Sequence, residues 1–227
     1  MSDIQLHYIE QGQGQPLILL HGNGESCDYF EHQIPCFSSN YRVIAIDTRG
    51  HGKSPRGEKP FTIKQFAEDL HDFMDEKGIE KAILLGFSDG GNIALTFALK
   101  YPERVEKMIV NGANLFPSGV KPLYQWPIEV GYRIARLFSK KSEQARKNTE
   151  MLGLMVNEPH IEPSELAALT MPVLVVAGLK DMIKDKHTRL IYKSLPNAQL
   201  CILEGDHFVA NKNAAAFNRV VEEFLVS

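Results

Sequence analysis

The chain has 227 residues, of which 44% are hydrophobic and 23% charged, and its net charge is −3. That length suits one substantial α/β domain, and that composition excludes a disordered or fibrous chain. The small acidic excess gives no reason to expect nucleic acid or a membrane surface as partner.

The opening stretch "MSDIQLHYIEQGQGQ" lacks the basic leader and apolar core of a secretory signal, and no apolar run reaches bilayer-spanning length. Three cysteines, Cys27, Cys36 and Cys201, stand at unrelated spacings without a Cys-x-x-Cys pair. They read as reduced thiols of a cytoplasmic protein, with no disulfide framework and no metal site.

Taken in order, "IQLHYI" (4–9) alternates apolar and polar residues, as a half-exposed edge strand does. "PLILLHG" (16–22) is apolar at every central position, which suits an interior parallel strand covered on both faces. A helix is expected at 26–38, a strand at 42–47 ("RVIAID") and a helix at 62–77 ("TIKQFAEDLHDFMDEK"). A strand at 81–87 ("KAILLGF"), a helix at 90–100 and a strand at 105–112 ("VEKMIVNG") follow.

From 114 to 170 no strand is expected. "PLYQWPIEVGYRIARLF" and "SEQARKNTEMLGLMV" read as two helices, and an insertion after a strand end, where α/β sheets bind ligands, reads as a cap. Its cations, Arg133, Arg136, Lys140, Lys141, Arg146 and Lys147, read as a solvated helical face. The rhythm resumes with strands at 172–178 and 198–205 and helices at 186–194 and 213–226. Strand and helix alternating in this way predict a doubly wound, mainly parallel sheet. The expected division is a core of 1–113 and 171–227 with a helical cap at 114–170.

Chemistry concentrates in "GFSDGG", where Ser88 stands between Gly86 and Gly90 after a buried strand and before a helix. A Gly-x-Ser-x-Gly turn lifts a hydroxyl above a sheet edge, although a serine there can also merely cap the helix. A serine hydroxyl needs a base. Of eight histidines, His207 in "EGDHFVAN" follows the last strand at the same sheet edge, and Asp181 in "VAGLKDMI" follows the strand before it. The turn "HGNG" offers the N–H of Asn23, and the residue after the serine offers the N–H of Asp89, two donors for an oxyanion. "GHGKS" at 50–54 imitates the end of a P-loop, but Asp47 stands where that pattern needs glycine.

Through "LLHGNG", "IAIDTRGHGKS", "LLGFSDGG", "VAGLKDMI" and "GDHF" the chain resembles the α/β-hydrolase superfamily. The resemblance implies a serine hydrolase with Ser88, Asp181 and His207 as triad and no cofactor. The superfamily's usual first strand is missing, so about seven strands are expected. "GFSDGG" and "VNGAN" look like the branch containing valacyclovir hydrolase (biphenyl hydrolase-like), which cleaves α-amino acid esters. Following the nucleophile, the Asp89 carboxylate could hold a substrate ammonium, as that resemblance also suggests; its place at a helix start, favoured by the helix dipole, is the first explanation for it. The leading expectation is a small carboxylic ester as substrate. A C–C bond hydrolase, lactonase or thioesterase with the same triad stays open, as does a ligand-binding protein on this scaffold. Phe116 and Trp126 are candidate pocket walls.

Overall fold

In a computed structural model, which describes residues 2–227, the apolar runs become seven strands. They are β1 (Tyr8–Gln11), β2 (Pro16–Leu20), β3 (Arg42–Ile46), β4 (Ala82–Phe87), β5 (Val105–Asn111), β6 (Val173–Gly178) and β7 (Ala198–Leu203). The helices are α1 (Gln33–Phe37), α2 (Ile63–Glu76), α3 (Asp89–Lys100), α4 (Pro122–Phe138), α5 (Glu143–Asn157), α6 (Asp185–Ser194), α7 (Val209–Lys212) and α8 (Ala214–Val226). The strand order is β1-β3-β2-β4-β5-β6-β7; every pairing is parallel except β1 with β3.

The sequence explains this sheet strand by strand. In β2, Leu17 and Leu19 face one core, which α1 and α8 close with Phe37, Phe217 and Val221. Ile18 and Leu20 face the other, closed by α2 and α3 with Phe66, Leu70, Ile93 and Phe97. A strand buried on both faces has no position for a polar side chain, hence the unbroken apolar run. Where the sheet ends, the pattern relaxes: β1 has two half-buried and two exposed residues.

Two expected elements come out differently. The helix expected at 26–38 is a short 3-10 turn, Cys27–Phe30, followed by α1. Pro35 has no N–H to give, so it is tolerated only in a helix's first turn, and a helix running on from 26 is blocked. The edge strand expected at 4–9 is shifted to Tyr8–Gln11. Ahead of it the His7 carbonyl still accepts the Asp47 N–H at 2.9 Å, and Asp3 is held by Arg49 at 2.6 and 3.2 Å.

Arg49 is fully buried, and its guanidinium grips Asp69 with two bonds of 2.7 Å as well as Asp3. It anchors the loop after β3, whose Asp47 accepts the N–H groups of Cys27 (2.7 Å) and Lys53 (2.8 Å) and bonds His7 Nδ1 (2.9 Å). Between β5 and β6 the chain leaves the sheet for α4 and α5, which pack on each other through Gly131 and Gly153. Among the described residues no helix is long and apolar enough to cross a membrane.

Arg49→Ala strands a buried Asp69 carboxylate, so unfolding in urea is expected to show a loss of about 3–5 kcal/mol. A loss below about 1 kcal/mol would mean that the loop is held by packing alone.

Candidate active site

Ser88 sits between the end of β4 and the start of α3 at φ +53°, ψ −118°. It is the only non-glycine among the described residues with positive φ, a conformation L-residues hold only when their surroundings dictate it. Its neighbours supply that dictation. An added Cβ at Gly90 would strike the Leu20 carbonyl of β2, and one at Gly86 would strike the Gly90 carbonyl. Ser88 N–H donates to the Asn111 carbonyl at 2.8 Å, tying the turn to the end of β5.

The structure brings together the three residues singled out as nucleophile, base and orienting acid. His207 Nε2 lies 3.0 Å from Ser88 Oγ, and its Nδ1 lies 2.7 Å from Asp181 Oδ1. Asp181 also accepts the N–H of Ile183 at 2.9 Å and of Gly178 at 3.3 Å. An acceptor so placed fixes the proton on Nδ1, which leaves the Nε2 lone pair for the serine hydroxyl. Gly112, at φ +65°, makes room for the ring, since a Cβ there would come within 2.7 Å of His207 Cε1.

The turn that carries Asn23 is held by a second relay. His21 donates from Nδ1 to the Gly22 carbonyl (2.7 Å) and accepts the Thr48 N–H at Nε2 (3.0 Å). Burial pushes its pKa below the ordinary value, which keeps the ring neutral as that bonding requires. The turn is closed by Glu25 N–H on the Gly22 carbonyl at 3.2 Å. Among the described residues no acceptor takes the N–H of Asn23 or of Asp89. The Asn23 side chain reaches across to α5, donating to the Met151 carbonyl at 2.7 Å.

The Asp89 side chain is buried, with 8% exposure. Asn92 Nδ2 donates to its Oδ1 at 3.0 Å, while Oδ2 is buried without a partner among the described residues. Burial pushes its carboxyl up to about 6, against the pull of its amide neighbours. Asn92 in turn donates to Asn114 Oδ1 (3.1 Å) and accepts the Asn114 N–H (2.9 Å). Sequence reading missed this pair, although an asparagine one helical turn after Asp89 was the available signal. It also missed Lys121, whose Nζ donates to the Asp181 carbonyl. Of the candidate pocket walls, Phe116 packs edge-on against His187 at 4.6 Å, and Trp126 is 69% exposed on α4. Neither placement sets it against Ser88.

Residues 15–155 match the family described as alpha/beta hydrolase fold. The chain is 30% identical to human Serine hydrolase BPHL over 99% of its own length and 84% of that protein's. It is 29% identical to the 2-hydroxy-6-oxo-6-phenylhexa-2,4-dienoate hydrolase of Burkholderia cepacia, covering 100% of this chain and 93% of that one. Among solved structures it superposes on the enol-lactonase of Burkholderia xenovorans LB400 with a TM-score of 0.83 at 21% identity, over 99% and 97% of the two chains.

Ser88→Ala is expected to abolish labelling by a fluorophosphonate while the fold persists. Asp181→Asn, which unfixes the His207 tautomer, is expected to slow that labelling by orders of magnitude, about 10⁴-fold where the triad logic holds in full. Undiminished labelling of either variant would remove that residue from the site.

Proposed function

The chain belongs to the α/β-hydrolase fold family, and we propose that within it this hydrolase cleaves small carboxylic esters, with esters of α-amino acids preferred. The observation that carries the ester reading is the 3.0 Å contact of His207 Nε2 with Ser88 Oγ, backed by the 2.7 Å contact to Asp181. His207 takes the hydroxyl proton as Ser88 Oγ attacks the acyl carbon. The Asn23 and Asp89 N–H groups receive the oxyanion, each worth about 2.7–4 kcal/mol in comparable sites. The proton then passes to the leaving alcohol, and water, activated by the same imidazole, releases the acid.

Asp89 supports the finer reading. A carboxylate buried beside an oxyanion works against the negative charge that the reaction builds. Helix N-terminal placement offsets this by only about 0.3–1 kcal/mol. An α-ammonium on the acyl group would meet the unpartnered Oδ2 and cancel the opposing charge one carbon from the reacting carbonyl. The resemblance to the branch that cleaves α-amino acid esters points the same way. An anionic substrate such as a dienoate would instead be repelled, which disfavours C–C hydrolysis of that type.

The test is kcat/KM for an α-amino acid ester and its des-amino isostere. A preference for the amine of at least tenfold is expected, and it should vanish in Asp89→Asn. It should also fall away below about pH 6, as Asp89 protonates. Equal turnover of the pair at all pH would leave a generic esterase; turnover of neither, with a C–C substrate cleaved, would refute the ester reading.

Stability should move the opposite way. Because the folded-state pKa of Asp89 is raised above its unfolded value, its favourable contribution is complete below about pH 4 and is lost as pH rises through about 6. Asp89→Asn is therefore expected to be more stable than the parent at pH 7.5, by about 1–3 kcal/mol, with the gap closing toward pH 4. A variant less stable at pH 7.5 would show the carboxylate to be a structural cap.

A further inference from the structure

Most of one face of α4 is exposed among the described residues, with Val130 half-buried at its middle. Leu123, Val130 and Leu137 recur every seven residues along it, with Trp126 and Ile134 between them. At 3.6 residues per turn these five side chains form one narrow stripe. Leu123 is 79% exposed, Trp126 69%, Ile134 54% and Leu137 77%. The stripe lies on the opposite side of the helix from Gln125 and Tyr132, which meet α5 through the Met155 carbonyl and Gly153. Phe138, 52% exposed, extends it at the C-terminal end.

The segment that carries the stripe is also basic. From 121 to 147 the chain holds seven Lys and Arg against two Glu, a net +5 in a protein whose total is −3. Arg133, Arg136, Lys140, Lys141, Arg146 and Lys147 are exposed, and among the described residues none of them forms an ion pair. Sequence alone reads these cations as a solvated face; the neighbouring row of exposed apolar side chains is what changes the reading.

We infer that α4 and the basic turn after it dock on an anionic lipid surface. The stripe enters the headgroup–acyl boundary, and the cations lie along the lipid phosphates and carboxylates. A second copy of the chain is the poorer occupant, because a two-fold contact through this face would set one +5 segment against another. The shape also favours lipid: the stripe is the ridge of a single convex helix, which a deformable surface can follow. Trp126, near its N-terminal end, is an interfacial residue by chemistry, with an apolar ring and one N–H to satisfy. This inference does not depend on the ester reading.

Trp126 is the only tryptophan in the chain, so its fluorescence reports on the stripe without a label. The full-length protein is mixed with phosphatidylcholine vesicles containing or lacking phosphatidylserine. Emission is expected to shift to the blue, and the protein to float with the vesicles, only when phosphatidylserine is present, and salt should weaken both effects. Leu123→Ser with Leu137→Ser should lose the shift, and Arg133→Gln or Arg136→Gln should lower partitioning about fivefold each. Unchanged emission and no flotation with the anionic vesicles would overturn the inference. So would a lipid-free dimer in sedimentation that shields Trp126, which would assign the face to a second copy.

Discussion

Ser88 holds φ +53° and ψ −118° where β4 hands over to α3, and the glycines on either side make that strained corner sterically possible. A conformation of this kind costs on the order of 1–3 kcal/mol and survives only if its surroundings over-determine it. Here they do. Gly90 lets α3 press against the Leu20 carbonyl at the end of β2, so the serine and the "HGNG" turn that follows β2 are fixed by one contact. The Asn111 carbonyl fixes the same corner from β5, and Gly112 beside it leaves room for His207. Ser88, Asn23 and His207 thus stand just past the ends of β4, β2 and β7, and the end of β5 packs against the same corner.

The polar groups around that corner obey a common rule, with one exception. Asp181 is met by two backbone N–H groups and an imidazole, Asp47 by two N–H groups and His7, and Asp69 by Arg49. Each buried carboxylate therefore has the donors that make burial affordable. Asp89 is the exception: one oxygen is bonded to Asn92, the other has no hydrogen-bond partner within geometric reach among the described residues, and the Asn23 and Asn92 amides only partly offset its burial. That exception is what the proposed preference for a substrate ammonium rests on. The same reasoning, turned outward, explains α4: an apolar row left uncovered beside unpaired cations has the form of a surface that meets something else.

The sheet was legible because its strands are buried on both faces, and a run such as "LILL" in β2 has no other use. Chain order and the glycine bracket around Ser88 placed the corner and its histidine correctly relative to the sheet edge, since those positions depend on topology alone. What stayed hidden depends on side chains meeting across distant segments. Arg49 grips Asp3 ahead of the first strand, and no local pattern announces a pairing 46 residues apart. Pro35 was visible, but its power to break the helix depends on where that helix begins. The Asn92–Asn114 pair and the Lys121 contact with Asp181 needed the fold before they could be seen. That Trp126 stands exposed on α4 could not be seen either, because sequence cannot say which side of a helix faces its neighbour.

The central claim is that Ser88 forms a covalent acyl intermediate. The most direct measurement is the intact mass of the protein, acid-quenched within milliseconds of mixing with an activated small ester, followed by peptide mapping. The expected result is a transient mass increase equal to the acyl group, located on the peptide carrying Ser88, that decays as product accumulates. Turnover with no adduct at any time point, or an adduct on any other residue, would contradict it.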